Sequence, residues 1–204
     1  MVEYKTEQEK FWAEEFGDEY SCRNTSIIKS NINFFSKVFS RVDNVNSVIE
    51  FGSNIGMNLH ALSTISNLEI SAIEINKTAV NELKKLNFLK KVYNESLLDI
   101  NLDEKFDMTL IKGVLIHINP EYLDVVYEKL YNYSNRYILV AEYYNPTPVE
   151  IPYRGNEGKL FKRDFAGEML DKYNDLKLVD YGFLYHRDNN FPQDDISWFL
   201  LEKR

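Results

Sequence analysis

From residue 45 onward the chain alternates short apolar runs with helix-patterned runs, and near its end it stops doing so. "NSVIEFG" precedes "GMNLHALSTI", and "LEISAIEI" precedes "NKTAVNELKKL". A short run "KKVYNES" follows; then "FDMTLIKGV" precedes "PEYLDVVYEKLYNYS", and "RYILVAEYY" comes next. Strands separated by helices lie parallel in one sheet, with the helices covering both of its faces. The last two runs break the pattern. "KLVDYGFLYHRD" and "ISWFLLEKR" are joined by "NNFPQDD", too short for a crossover, so they predict an antiparallel pair. The expected fold class is α/β: seven strands, mostly parallel, closed by an antiparallel C-terminal hairpin, with helices on both faces.

The first of these units fixes where a ligand belongs. In "SVIEFGSNIGMNLHAL" an apolar strand meets a turn bounded by Gly52 and Gly56 and then a helix. Ligands of open α/β sheets bind outside the carboxyl ends of the strands, beside the topological switch. Glycine lets the backbone turn sharply there and lets a ligand come close. The next strand ends at Glu74, 18 residues after Gly56, where a carboxylate can accept both hydroxyls of a ribose. A pyrophosphate-binding turn wants G-x-G-x-x-G. Here "GSNIGMN" puts Asn54 at the middle glycine, which argues against a dinucleotide more than against S-adenosylmethionine, a nucleoside without phosphate.

Before residue 45, "TEQEKFWAEEFGDEY" opens with a capping box, Thr6 with Glu9, and predicts a short helix ending near Gly17. Trp12, Phe16 and Tyr20 fall on one face of it. "TSIIKSNINFFSKVFSRV" predicts a second helix, with Ile28, Ile32, Phe35 and Phe39 at helical spacing. The expected organisation is a helical lid or cap over residues 1–44 on a domain spanning 45–204, one globular unit overall. "NPTPVEIPYRGNEGKL" reads as a long irregular loop, followed by the helix "DFAGEMLDKY".

Bulk properties narrow the partners. A net charge of −8 makes a nucleic-acid surface unexpected. No apolar run nears the ~20 residues of a membrane span, and the opening "MVEYKTEQEK" is not a signal peptide. The single cysteine, Cys22, allows neither an internal disulfide nor a Cys-rich zinc site, which suits a cytoplasmic protein. No His/Asp/Glu spacing calls for a metal. Oligomeric state is not legible.

"VIEFGSNIG", "IEIN", "NESLLD" and "FDMTLIKGVLIHI", in that order, resemble the motifs of class I S-adenosylmethionine-dependent methyltransferases, whose fold is Rossmann-like. "EQEKFWAEEFGDEY", "KGVLIHINPEYL", "AEYYNPTPVEIPYRG" and "LFKRDFAGEML" are similar to the methylases associated with pseudaminic acid biosynthesis. The likeness runs from about residue 7 to the C-terminus. It implies transfer of a methyl group from S-adenosylmethionine to an oxygen or nitrogen of an anionic sugar or nucleotide-sugar in bacterial surface glycan synthesis. It also implies that Gly52, Ser53, Asn54 and Gly56 line the methionine and ribose part of the donor. Glu74 then holds the ribose, Ile75 the adenine face, Ser96 and Leu97 the adenine edge. Lys112, Gly113 and Val114 meet the donor at the end of the fourth strand, and Tyr20 or Arg23 closes over it. Ser96 departs from the family, where an acid often receives the adenine amino group.

Methyl transfer from a sulfonium needs mainly positioning, and a base only where the acceptor is a hydroxyl or a protonated amine. Catalytic candidates beside the expected pocket are His117, Glu142 and Tyr143. Tyr144 and His186 are substrate candidates. "YRGNEGKLFKR" gathers Arg154, Lys159, Lys162 and Arg163 against a single acid, Glu157, as a site for a carboxylate or phosphate would. Other readings are a methyltransferase for a carboxylic acid or an amine, and a catalytically degenerate module that binds a nucleoside or a partner.

Overall fold

The computed structural model describes residues 4–21 and 28–204. Two short helices, α1 (Glu7–Ala13) and α2 (Glu15–Ser21), precede α3 (Ile28–Phe39). The sheet strands are β1 (Ser47–Phe51), β2 (Glu69–Glu74), β3 (Leu89–Asn94), β4 (Phe106–Lys112), β5 (Ser134–Glu142), β8 (Leu176–Leu184) and β9 (Ile196–Lys203). Helices α4 (Met57–Ile65), α5 (Lys77–Leu83), α6 (Leu123–Tyr133) and α7 (Phe165–Lys172) lie between them. The order across the sheet is β3-β2-β1-β4-β5-β9-β8, and only the pairs that include β9 run antiparallel. The seven-stranded sheet with its antiparallel end is the one the alternation predicts. Chain order reverses direction between β1 and β4, so the switch point lies there.

Both faces of the central strands are buried, which is why they read as continuous apolar runs. Ile49, Phe51, Ile111, Ile138 and Val140 pack against Val126, Leu130 and Met169 of α6 and α7. Val48, Leu110, Leu139 and Leu200 pack on the other face against Phe34, Phe35, Leu59 and Leu62 of α3 and α4. The two-residue side-chain period therefore sends Glu50 and Lys112, at the strand ends, toward the face of α3 and α4. Glu142 goes to the opposite face.

Three local details differ from the sequence reading. The N-terminal helix does not run to Gly17: it stops at Ala13, where Glu14 is extended, and Gly17 lies inside α2. The Thr6–Glu9 capping box is present, and Trp12 still meets both Phe16 and Tyr20, at ring distances of 5.3 and 5.2 Å. The segment after Asn119 begins as a single 3-10 turn, Pro120–Tyr122, capped by the Asn119 side chain, before α6 starts. The proline-rich loop is not wholly irregular, because β6 (Val149–Glu150) and β7 (Phe161–Lys162) pair antiparallel within it. Arg23 and Cys22 lie outside the described residues.

Candidate active site

A cavity of about 520 Å³ opens at the carboxyl ends of β1, β2 and β4, within the range of small-molecule sites. Its wall runs from Ser96 and Leu97 after β3, past Glu74 and residues 52–55 of the turn, to Lys112 and the loop between β8 and β9; Gly56 does not line it, being turned toward Leu83 and Leu86. The N-terminal helices close one side with Glu9, Trp12 and Tyr20.

The turn after β1 is held in a geometry that requires Gly52. Its φ is +77°, and a Cβ there would stand 2.7 Å from Cγ2 of Val114. Asn54 takes the place of a middle glycine at φ 48°, a region asparagine tolerates better than most residues. Its backbone N–H donates to Oε2 of Glu74 at 2.7 Å, and its side-chain oxygen accepts from the Ser21 hydroxyl at 2.9 Å. The departure from glycine thus ties the turn to α2. Glu74 is 8% exposed, and its Oε1 accepts the Asn76 backbone N–H at 2.7 Å. Burial pushes its carboxyl up, against the pull of these amides. Two amide bonds leave further lone pairs on the same oxygens.

Asn76, which the sequence reading passed over, joins this loop to the N-terminus. Its oxygen caps α5 through Ala79 N–H at 2.8 Å, and its Nδ2 donates to Asp18 at 3.0 Å and to the Trp12 carbonyl at 3.3 Å. Glu9 is a second residue missed. Oε2 receives the Thr6 and Lys5 backbone N–H groups at 2.9 and 2.8 Å, while Oε1 accepts the Ser96 hydroxyl. An acid therefore does stand at Ser96, supplied by α1 rather than by the strand end. The capping box signalled Glu9 only as a helix start.

Of the catalytic candidates, His117 is buried against Trp12 and Tyr153, with ring distances of 4.5 and 4.8 Å, and its Nδ1 meets the Lys159 carbonyl at 2.6 Å. A carbonyl can only accept, so Nδ1 carries the proton. Burial pulls the imidazole down from 6.5 to about 4, so it stays neutral across the neutral range. Its folded value lies below its unfolded one. The stability it contributes is therefore complete above pH 6.5 and is lost as the pH falls toward 4. At ~1.4 kcal/mol per pH unit, wild type should lose about 3 kcal/mol relative to His117→Phe over that window. Paired denaturant titrations at pH 7.5 and 4.5 measure the difference, in which the other titrating groups cancel.

Glu142 is turned away from the cavity. Its Oε1 accepts the N–H groups of Val114 and Leu115, both at 2.9 Å, at the start of a 3-10 turn (Leu115–His117). Burial raises it to about 7. Tyr143 does not line the cavity, and burial, with the Asp194 carboxylate beside it, pushes its phenol up. Tyr144 is 41% exposed and lies off the cavity.

The basic loop is a correction to the sequence reading. None of Arg154, Lys159, Lys162 and Arg163 lines the cavity. Arg154 is exposed, Lys159 pairs with Glu7 at 3.4 Å, Lys162 lies over the Tyr143 ring at 5.2 Å, and Arg163 pairs with Glu168 at 2.6 Å. Their opposing acids come from α1 and α7, distant in sequence or beyond the loop, so counting Glu157 alone misjudged the charge. His186 is on the cavity rim, its Nδ1 2.8 Å from Asp195. Among the described residues no group of three or more His, Cys, Asp or Glu could hold a metal ion, and no helix is long and apolar enough to cross a membrane.

No protein-family model matches the sequence, and no curated protein matches it. Solved structures do match the fold. The 1,6-didemethyltoxoflavin-N1-methyltransferase of Burkholderia thailandensis, solved with 1,6-didemethyltoxoflavin and S-adenosylhomocysteine, superposes with a TM-score of 0.70 at 9% identity, over 96% of this chain and 86% of that one. A SAM-dependent methyltransferase of Leishmania major gives 0.71 at 13% identity, over 97% and 81%. The magnesium protoporphyrin IX methyltransferase of Synechocystis, solved with SAM, gives 0.65 at 11% identity over the whole of both chains. The chain has the Rossmann-like fold of S-adenosylmethionine-dependent methyltransferases.

Proposed function

We propose that this protein is an S-adenosylmethionine-dependent methyltransferase. The observation that carries the proposal is that Glu74 and residues 52–55 of the turn after β1 line one cavity at the switch point. The residues present suit the donor. Glu74 would take the ribose hydroxyls, Gly52, Ser53 and Asn54 the methionine part, and Ile75 and Leu97 the faces of the base. Glu9, held at Ser96, would receive the adenine amino group, so the N-terminal helices serve as a cap that completes the donor site. When bound, the donor supplies an electrophilic methyl group on a sulfonium. The protein's own part is to orient the acceptor and exclude water.

Calorimetric titration with S-adenosylhomocysteine tests the reading. One-to-one binding in the micromolar range is expected, and a folded protein that binds none would sink it. Glu9→Gln keeps a capping-box partner but removes the charge. It should weaken S-adenosylhomocysteine about tenfold, the loss of one charge-assisted hydrogen bond of ~1.5 kcal/mol. Affinity equal to wild type would remove Glu9 from the site.

For the acceptor we propose a sugar acid or its nucleotide-activated form, as the resemblance of the N-terminal and loop motifs implies. Among the described residues that line the cavity, Lys112 is the only lysine or arginine, and Asn58, Asn119 and Gln193 supply neutral polar groups there. Release of S-adenosylhomocysteine in the presence of N-acetylneuraminic acid and its cytidylyl form, but not of simple carboxylic acids or amines, is the expected pattern. Turnover confined to the simple acids or amines would move the acceptor to those classes.

A further inference from the structure

In and beside the cavity wall several polar groups stand without partners. Lys112 ends β4, lines the cavity, and makes no hydrogen bond or ion pair with any described residue. Glu50, on the same face of the sheet, is fully buried behind the cavity wall, its Oε1 accepting from Nδ2 of Asn58 at 2.7 Å. Oε2 of Glu50 and Oδ1 of Asn58 have no partner. Gln193, which also lines the cavity, is 7% exposed and donates to the Ser30 carbonyl at 3.0 Å, which leaves its Oε1 also without a partner. Those donated bonds fix which way the two amides point. Three buried oxygens that accept nothing cost ~1–3 kcal/mol each. A ligand bearing O–H or N–H groups relieves that cost at the two that line the cavity, on Asn58 and Gln193.

We infer that Lys112 is a catalytic residue of this site: its side-chain amine receives the proton of an acceptor hydroxyl, with the unpaired oxygens of Asn58 and Gln193, which line the cavity, holding the acceptor's other donor groups. The inference rests on the methyltransferase reading and makes the reaction an O-methylation of a polyhydroxylated molecule. The Lys112 lone pair takes the hydroxyl proton while the oxygen's electron pair forms the bond to the donor's methyl carbon, the carbon–sulfur pair staying with sulfur. The resulting ammonium then loses its proton to water.

Lys112 can be neutral before reaction because burial lowers its affinity for a proton. The charges of three carboxyls oppose that effect: Glu50 on β1, Asp194 in the β8–β9 loop and, from the other face of the sheet, Glu142 on β5. Two of them, Glu50 and Glu142, are themselves raised to about 7 by burial, which softens their pull. His186 on the rim is already engaged with Asp195, and Tyr143 lies beside Asp194.

Competitive acetylation with acetic anhydride, read by peptide mass spectrometry on the full chain, tests the amine without any acceptor. At pH 7.5 Lys112 should react at least about tenfold faster than the exposed Lys37 and Lys84, since an ordinary lysine is almost wholly protonated there. Asp194→Asn, which removes an opposing carboxylate, should speed Lys112 further. A rate no greater than that of Lys37 and Lys84 would overturn the inference. Lys112→Met and Lys112→Arg form the second arm. Both should bind S-adenosylhomocysteine as wild type does, and a parallel loss in both would assign Lys112 to the donor instead. Failure of wild type to bind S-adenosylhomocysteine defeats the methyltransferase reading, whereas slow acetylation in a binding-competent wild type defeats only the role of Lys112.

Discussion

Glu74→Ala is expected to weaken S-adenosylhomocysteine binding by at least about 100-fold, because it removes two charge-assisted hydrogen bonds of ~1.5–3 kcal/mol each. Isothermal titration measures it directly. The carboxylate is fixed before any ligand arrives: Asn54 N–H and Asn76 N–H each hold one oxygen at 2.7 Å. Alanine would free both amides and loosen the turn as well, so Glu74→Gln is the control. It retains one oxygen acceptor and the side-chain volume, and should fall between wild type and alanine. Thermal unfolding separates the two losses, since a loosened turn lowers the melting temperature of the ligand-free protein and a lost ribose contact does not. Affinity within about threefold of wild type in the alanine variant, less than ~1 kcal/mol, would remove Glu74 from the donor site.

How far the sequence carried depended on how local each signal was. The sheet follows from strand-helix alternation and one short connection, "NNFPQDD", so all seven strands and the antiparallel end could be read from it. Gly52 and Glu74 fall at strand ends, positions that the alternation itself locates. The residues that remained hidden act across long separations. Glu9 reaches Ser96, 87 residues away, and Asn76 reaches Asp18, 58 residues away. Arg163 shows the converse. It looked free because the loop holds few acids, yet its partner Glu168 is five residues on, in the next helix. Glu50 carried a signal that was passed over: an acid inside the apolar run "SVIEF", where a carboxyl is buried only at a cost.

The second large effect belongs to Gly17. A Cβ on Gly17 would stand 1.9 Å from the Trp12 carbonyl oxygen and 2.8 Å from Nδ2 of Asn76. Neither neighbour can give way independently. The carbonyl belongs to the backbone of α1, and Nδ2 donates to that same carbonyl and to Asp18. Gly17→Ala must therefore part α2 from α1 or lift both from Asn76. Ser21 would move with α2 and release Asn54, while Glu9 and Trp12 would move with α1. The two apolar layers around the sheet contain no residue of α1 or α2, so they should persist. The expected result is a variant with a near-native melting transition whose S-adenosylhomocysteine affinity falls at least about tenfold, the equivalent of ~1.4 kcal/mol. Limited proteolysis should then cut between residues 7 and 21 in the variant and spare wild type. Unchanged affinity with fast cleavage in that segment would show that the donor site does not need its cap. Global unfolding would instead make α1 and α2 part of the core, and Asn76→Ala, which cuts the same links without adding an atom, would then decide between a cap and a structural element.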